Sequence, residues 1–159
     1  MKHEKGLGLL AIGLAVSLSA AAAFAGSVVA PGDVEIVDDS AIPASLTGVA
    51  GDPVAGKEAF TGRKLGNCLA CHQVTSLMDE QQFHGEVAPS LDGVANRYSE
   101  AELRLQIVNA KVLNEDSLMP SFYRTDGLNR VAEKFQGKTI LTAQQVEDVI
   151  AYLMTLKEE

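Results

Sequence analysis

The stretch Cys68-Leu69-Ala70-Cys71-His72 constrains this chain more than any other part of its sequence. It reads C-x-x-C-H, the pattern of covalent c-type haem attachment. In that chemistry the two thiols form thioethers with the haem vinyl groups, and the adjacent imidazole is held at the iron as an axial ligand. We therefore expect the chain to fold around one haem c, bound covalently by Cys68 and Cys71 with His72 on the iron.

Three other interpretations of the two cysteines are a disulfide, a thioredoxin-like redox pair and half of a zinc site. A zinc site needs further nitrogen or sulfur ligands, and besides His72 the chain has only His3, His84 and no third cysteine. A thioredoxin-like pair is typical of a βαβ pattern, which the surrounding sequence does not show. Covalent haem attachment is the preferred interpretation.

Residues 1–25 are predicted to be a cleaved signal peptide. Lys2 and Lys5 precede an apolar run over 7–23, and residues 23–25 read A-F-A, a site for cleavage before Gly26. The alternative is an uncleaved membrane anchor, but the run is short for a membrane span and rich in Ala and Gly. Because c-type haem is attached outside the bacterial cytoplasm, we expect a periplasmic protein.

The chain is acidic, with 21 Asp and Glu against 13 Lys and Arg and a formal net charge of −8. This charge argues against nucleic acid or an anionic membrane surface as a partner. Neither a Ser-His-Asp arrangement nor a pair of carboxylates stands at catalytic spacing, and no cysteine beyond the motif remains as a nucleophile. We therefore expect no catalytic residue in this chain.

Residues 26–51 are predicted to form an irregular N-terminal arm. They are rich in Gly, Pro, Ser, Ala and Asp and show no helical periodicity. Two interpretations are open: a disordered leader, or an arm that wraps around a partner or around the domain surface.

Residues 52–159 are predicted to form the folded domain. Three helix starts are indicated, by Asp52 followed by proline and by the S/T-x-x-E/Q capping boxes that begin at Ser99 and Thr142. Gly56 inside the first helix costs stability, which indicates close approach of another helix, and the last helix is the candidate. The spacing predicts that Leu103, Ile107 and Ala110 of the second helix and Val146, Val149, Ile150 and Leu153 of the last face the core.

Residues 73–98 and 111–141 show no sustained period and carry Gly, Pro, Asn and Asp at intervals. This is more irregular chain than a domain of this size usually contains. A buried haem explains the excess, because it offers a large apolar surface on which loops pack.

Met119 is the preferred second ligand of the iron. Pro120 directs it towards extended backbone, so that its loop can approach the haem face opposite His72. A thioether favours ferrous iron and raises the reduction potential. The other role for Met119 is to fill a gap in the core. The other candidates are Met78, His84, Met154 or an open site, and an open site would suit gas sensing.

Phe122 and Tyr123 follow this loop directly. We expect one of the two rings to pack inside the domain and the other to lie on a partner surface.

From about residue 52 to 157 the chain resembles the class I cytochromes c. The resemblance is carried by G-K-E-A-F at 56–60, the haem motif, P-S-L-D-G at 89–93, M-P at 119–120 and the last helix with Tyr152. It implies an all-α class I cytochrome c fold, with helices and loops packed around one covalently attached haem and with the first and last helices crossing.

The same resemblance implies roles for two residues near the haem. The carbonyl of Pro89 is expected to accept a hydrogen bond from the His72 ring and orient it. Arg97 is expected to approach a haem propionate. Ala88 is a departure, because many members have glycine before this proline, and the turn is expected to differ there.

A narrower resemblance is to the SoxX family, the monohaem subunits of SoxAX sulfur-oxidation cytochromes. It is carried by residues 66–72, 89–98, 119–131 and 146–154 and by I-P-A-S-L-T at 42–47, and the stretch 119–131 discriminates best. It implies a periplasmic heterodimer with a SoxA-type subunit. That complex, an L-cysteine S-thiosulfotransferase, oxidatively couples thiosulfate to a cysteine of a SoxY-type carrier protein.

In such a complex the thiol chemistry resides on the SoxA-type subunit. This chain would be the electron-accepting subunit, which passes electrons to a downstream acceptor. The alternative is a free-standing periplasmic class I cytochrome c that shuttles electrons and has no reaction of its own.

Overall fold

The computed structural model describes residues 27–158, so the predicted signal peptide lies outside the described range. These residues contain four α-helices and no β-strand, as the all-α prediction requires. No helix among them is long and apolar enough to cross a membrane. The helices are α1 (Pro53–Thr61), α2 (Val94–Arg97), α3 (Glu100–Asn109) and α4 (Ala143–Leu153), and short 3-10 turns lie at Pro31–Asp33, Cys68–Ala70, Thr75–Leu77, Ala110–Val112 and Glu133–Phe135.

The three predicted helix starts are confirmed. The Asp52 carboxylate accepts a hydrogen bond from the backbone N–H of Val54 at 2.8 Å. Complete capping boxes begin at Ser99 in front of α3 and at Thr142 in front of α4. Each box satisfies backbone N–H groups that would otherwise lack a partner at a helix start.

Helix α2 was not predicted, since the sequence analysis assigned residues 73–98 to loop. It starts after Gly93, whose backbone is left-handed with φ +64°, and it is only four residues long. A single turn is too short to show a 3.6-residue period, so the pattern could not reveal it.

Helices α1 and α4 cross at very close range, as predicted from Gly56. A Cβ atom at Gly56 would collide with the backbone carbonyl of Asp148 and lie 2.9 Å from the Cβ of Tyr152. Next to this crossing the rings of Phe60 and Tyr152 pack with centroids 5.2 Å apart and a tilt of 58°. The absent side chain at Gly56 thus sets the distance between the first and last helices.

The predicted apolar faces of α3 and α4 are buried. The four predicted positions of α4 belong to the hydrophobic core cluster, as do two of the three positions predicted for the second helix, and the third is buried. These side chains are Val146, Val149, Ile150 and Leu153 of α4, Leu103 and Ile107 of α3, and Ala110 of the 3-10 turn that directly follows α3.

Residues 27–51 pack on the domain surface and contribute to its core. Ile42 and Leu46 are each only 1 % exposed. The N–H of Ile42 donates to the carbonyl of Ala101 at 3.0 Å. Of the two interpretations of the arm, the structure therefore shows the second for these residues, with the domain itself as the surface that is covered.

A buried ion pair that the sequence analysis did not identify fastens the arm. The guanidinium of Arg104 donates to both carboxylate oxygens of Glu147 at 2.9 Å and to the carbonyl of Ile42 at 2.8 Å. The same carboxylate accepts the N–H of Leu46 at 2.8 Å. Because every partner is satisfied, this network ties α3, α4 and the arm together without leaving a buried charge unpaired.

One expectation about the loop after Met119 is wrong. Phe122 and Tyr123 are both buried, so neither ring forms part of an exposed partner surface. The Tyr123 hydroxyl donates to the carbonyl of Val29 at 2.7 Å, so the N-terminal arm covers this ring.

Replacing Gly56 by alanine should destabilise the folded protein, because the added methyl group meets the α4 backbone and not a flexible side chain. We expect a loss of about 1–3 kcal/mol, despite alanine's better helix propensity. Urea unfolding of the haem-containing protein measures it. Gly32→Ala is the matched control, since a Cβ there meets nothing within 4 Å, and it should change stability little. Equal stabilities of the two variants would show that α1 and α4 can separate at no cost.

Candidate functional site

The haem motif forms a tight turn that brings its three functional side chains to one cavity. Asn67 adopts a left-handed backbone with φ +48°, and residues Cys68–Ala70 then form a 3-10 turn. The N–H of His72 donates to the carbonyl of Cys68 at 2.9 Å. As a result Cys68, Cys71 and His72 all line the same cavity.

The two motif cysteines are free thiols, so the structure does not form the disulfide considered above. Burial raises the pKa of the Cys68 thiol to about 12, outweighing a backbone hydrogen bond that lowers it, and the nearby Cys71 makes a smaller contribution in the raising direction. A thiol of a thioredoxin-like pair is activated by a lowered pKa. The raised pKa of Cys68 is the opposite of the lowered pKa that activates such a redox thiol.

The His72 ring is oriented by a backbone carbonyl. Its Nδ1 lies 2.7 Å from the carbonyl oxygen of Pro89, as the resemblance implies. Because a carbonyl only accepts, Nδ1 must carry the proton and Nε2 keeps its lone pair free for a metal. Ala88 fits the turn in front of this proline, since it is not among the described residues with positive φ, and its N–H donates to the Cys71 carbonyl at 3.0 Å.

Asp92 braces the loop that carries Pro89. Its carboxylate accepts hydrogen bonds from the Thr75 N–H at 2.8 Å, from the Thr75 hydroxyl at 2.7 Å and from the Ser90 hydroxyl at 2.9 Å. Burial alone would raise the pKa of Asp92, but these hydrogen bonds and the charge of Arg97 outweigh it, and the pKa is lowered. The loop that orients His72 is thus held by an ionised carboxylate.

Arg97 lies at the wall of the smaller part of the cavity. Its guanidinium donates to the backbone carbonyls of Asp92 at 2.6 Å and Ser90 at 3.1 Å. It also lines the cavity beside Tyr98. A fixed positive charge therefore lies at the cavity wall, where it could pair with a carboxylate of a bound group.

Met119 lines the cavity together with His72, whereas the other candidate ligands do not. Met78 is largely exposed. His84 borders a separate hollow, and its Nδ1 accepts the N–H of Val74 at 3.1 Å. Met154 ends α4 and packs on the core. Of the four side chains considered for the second axial position, the structure brings only Met119 to the cavity.

The cavity has two adjoining parts, of about 140 Å³ and about 630 Å³. Together they are in the range of cofactor sites. Six residues line both parts: Cys68, His72, Pro89, Gln106, Met119 and Phe122. The walls of the inner part are mostly apolar and include Phe60, Leu91, Val94, Leu103, Ile107, Leu141, Val149 and Leu153.

These residues fit a haem. The apolar walls suit a flat macrocycle, and two thiols, an imidazole and a thioether are the groups that c-type haem uses for attachment and iron ligation. Sequence reasoning did not identify Gln106 as part of the lining. The helical spacing could have identified it, because Gln106 lies at the i+3 position of the i, i+3, i+4, i+7 face that runs from Leu103 to Ala110.

Comparisons with known proteins agree with this geometry. Residues 53–157 match the sequence model of the family described as cytochrome c. A chain of the crystal structure of SoxXA from P. pantotrophus is 47% identical in sequence and superposes with a TM-score of 0.74, over 81% of this chain and 98% of that chain. A comparison with curated proteins gave no match.

Replacing Asp92 by asparagine should loosen the Pro89 loop and destabilise the protein by about 1 kcal/mol near neutral pH. Since the folded pKa is lowered, this stabilisation is complete above the ordinary aspartate pKa of about 3.9 and is lost as the pH falls through the folded value. The gap in urea midpoint between wild type and D92N should therefore narrow in acid. Asp33→Asn, an exposed change in the arm, is the control. A gap that persists unchanged at low pH would show that the charge of Asp92 does not brace the loop.

Proposed function

The chain belongs to the cytochrome c family, as a SoxX-type electron-transfer cytochrome with one covalently bound haem c, and we propose that it is the electron-accepting subunit of a periplasmic complex with a SoxA-type partner. The observation that carries this proposal is that the motif imidazole and the Met119 thioether line one apolar cavity. When bound, haem c supplies a one-electron ferric-ferrous couple.

We assign the attachment and ligation to named residues. Cys68 and Cys71 would form the two thioethers that hold the haem. Nε2 of His72 and the sulfur of Met119 would bind the haem iron, with the His72 ring held by the Pro89 carbonyl at 2.7 Å. The hydrogen bond strengthens the imidazole as a donor, while the soft thioether favours the ferrous state. This pair of ligands suits an electron acceptor of moderately high potential.

Arg97 is proposed to hold a haem propionate. Its guanidinium already lies at the cavity wall and is fixed by two backbone carbonyls. A pre-positioned charge loses little side-chain entropy when it pairs with a carboxylate.

Electrons are proposed to enter at the open side of the cavity. Cys71 is exposed there, and the side chains of Val87 and Leu118 that line the wider part are 69 % and 85 % exposed. An exposed apolar rim of this kind is typical of an interaction site. It supports contact between this face and the SoxA-type subunit, with no catalytic group required from this chain.

The reaction assigned to the complex is the oxidative coupling of thiosulfate to the cysteine of a SoxY-type carrier. Joining a thiol sulfur to the outer sulfur of thiosulfate releases two electrons and one proton. Because one haem c would hold only one of these two electrons, the second electron would need another acceptor or a prior reoxidation of this chain. Support for this reaction comes from the resemblance to SoxX and from the likeness to a chain of SoxXA.

The proposal is tested by purifying the tagged mature protein from its own periplasm and following haem reduction after mixing with thiosulfate and a SoxY-type carrier. We expect a second cytochrome in stoichiometric amount, and reduction that requires both that subunit and the carrier. The control is the isolated chain under the same conditions. A monomer that is reduced by generic donors and unaffected by thiosulfate and carrier would contradict the proposal and identify a free electron shuttle.

A further inference from the structure

The chain directly after Met119 is tied to the end of α3 by a buried polar pair. The Ser121 hydroxyl donates to the side-chain oxygen of Asn109 at 2.8 Å. Ser121 is 7 % exposed and Asn109 is 8 % exposed, so water competes little for this hydrogen bond. The next backbone N–H, that of Phe122, donates to the carbonyl of Ile107 at 3.0 Å. The chain two residues after Met119 is therefore fixed relative to α3.

Asn109 also marks the end of the regular helix. Its backbone leaves the helical region, with φ −160° and ψ 82°, and Ala110–Val112 then form a 3-10 turn that contains Lys111. From this turn the ammonium of Lys111 donates to the carbonyl of Ser117 at 2.5 Å and to the carbonyl of Glu115 at 3.4 Å. Lys111 forms no ion pair within residues 27–158, so no carboxylate there competes for its ammonium.

Ser117 connects the Lys111 contact to Met119. The hydroxyl of Ser117 accepts the N–H of Met119 at 3.2 Å, while its carbonyl accepts the ammonium of Lys111. Met119 therefore lies between two attachments to the end of α3, one on each side. A segment held on both sides loses little further conformational freedom when its central side chain binds a metal.

We propose that Lys111 and Asn109 are positioning residues for Met119, and that together they keep the second axial position of the iron closed to other ligands. This inference rests on the proposed function, which makes Met119 an axial ligand. Another ligand can occupy that position only when Met119 leaves it. The apparent affinity of such a ligand is its intrinsic affinity multiplied by the fraction of molecules whose loop is open. The two attachments lower that fraction.

Closure of this position suits an electron carrier. If the thioether left the iron in one oxidation state, each electron transfer would include a ligand exchange and a movement of the loop. Attachments on both sides of Met119 keep the set of ligands the same in both states. The same attachments disfavour gas sensing, which needs an open site.

Imidazole binding to the ferric, haem-containing protein measures how often the position opens. Lys111→Met keeps a long side chain but removes its donor, and Ser121→Ala removes the donor to Asn109. In each variant we expect imidazole to bind roughly two- to tenfold more tightly, the range that the loss of one hydrogen bond allows. Without imidazole, the absorption band of sulfur-to-iron charge transfer should persist, because both variants keep Met119.

Four further variants separate the two attachments from general effects. Lys111→Arg and Ser121→Thr keep a donor at each position and should bind imidazole as weakly as the wild type. Gly56→Ala disturbs the domain at the crossing of α1 and α4. Lys138→Met changes an exposed lysine outside the attachments. Neither of these last two changes should alter the affinity for imidazole.

Unchanged imidazole affinity in K111M or in S121A would overturn the proposal, because the proposal requires both attachments. An equal gain in affinity in G56A would overturn it as well, since imidazole binding would then report the stability of the whole domain. The ligand assignment is tested separately by the charge-transfer band of the wild type. Absence of that band would overturn the assignment of Met119, whereas its presence with unchanged affinities would overturn only the positioning role.

Discussion

The tight turn from Cys68 to His72 holds two thiols and one imidazole at a single apolar cavity, and the rest of the fold is arranged around that point. The 3-10 geometry leaves the His72 ring with one free nitrogen, because Pro89 occupies the other at 2.7 Å. The loop that carries Pro89 is braced in turn by Asp92. A chain of short hydrogen bonds between loop residues thus fixes the direction of the His72 ring without any long regular element.

The helices form the scaffold behind this site. Helices α1 and α4 cross at Gly56, where only glycine permits their close contact. Helix α3 forms part of the cavity wall, and the loop after Met119 is hydrogen-bonded to it. The arm completes the scaffold through the buried pair of Arg104 and Glu147. Both charges of that pair are fully hydrogen-bonded, so the pair specifies where the arm lies, which an apolar contact alone would define less sharply.

Much of this site and of the helical scaffold could be predicted from local sequence signals. Capping boxes, the haem motif and the apolar period of α4 each depend on residues within one turn or one helix, where spacing determines geometry. The contacts that escaped prediction join distant parts of the chain. Arg104 contacts Glu147 and the arm only in the folded state. Tyr123 is buried because the arm packs over its ring, and the Tyr123 hydroxyl donates to the carbonyl of Val29. Neither contact is reflected in a periodic pattern of the sequence.

A cavity bounded by so many core side chains implies that haem c completes the interior and does not merely occupy its surface. The most direct test compares the chain from residue 26 onward with and without haem, using far-UV circular dichroism during thermal unfolding. We expect a cooperative transition for the haem protein and a largely unfolded haem-free chain at 25 °C. A haem-free chain that unfolds cooperatively at a similar temperature would contradict the view that the cofactor acts as part of the core.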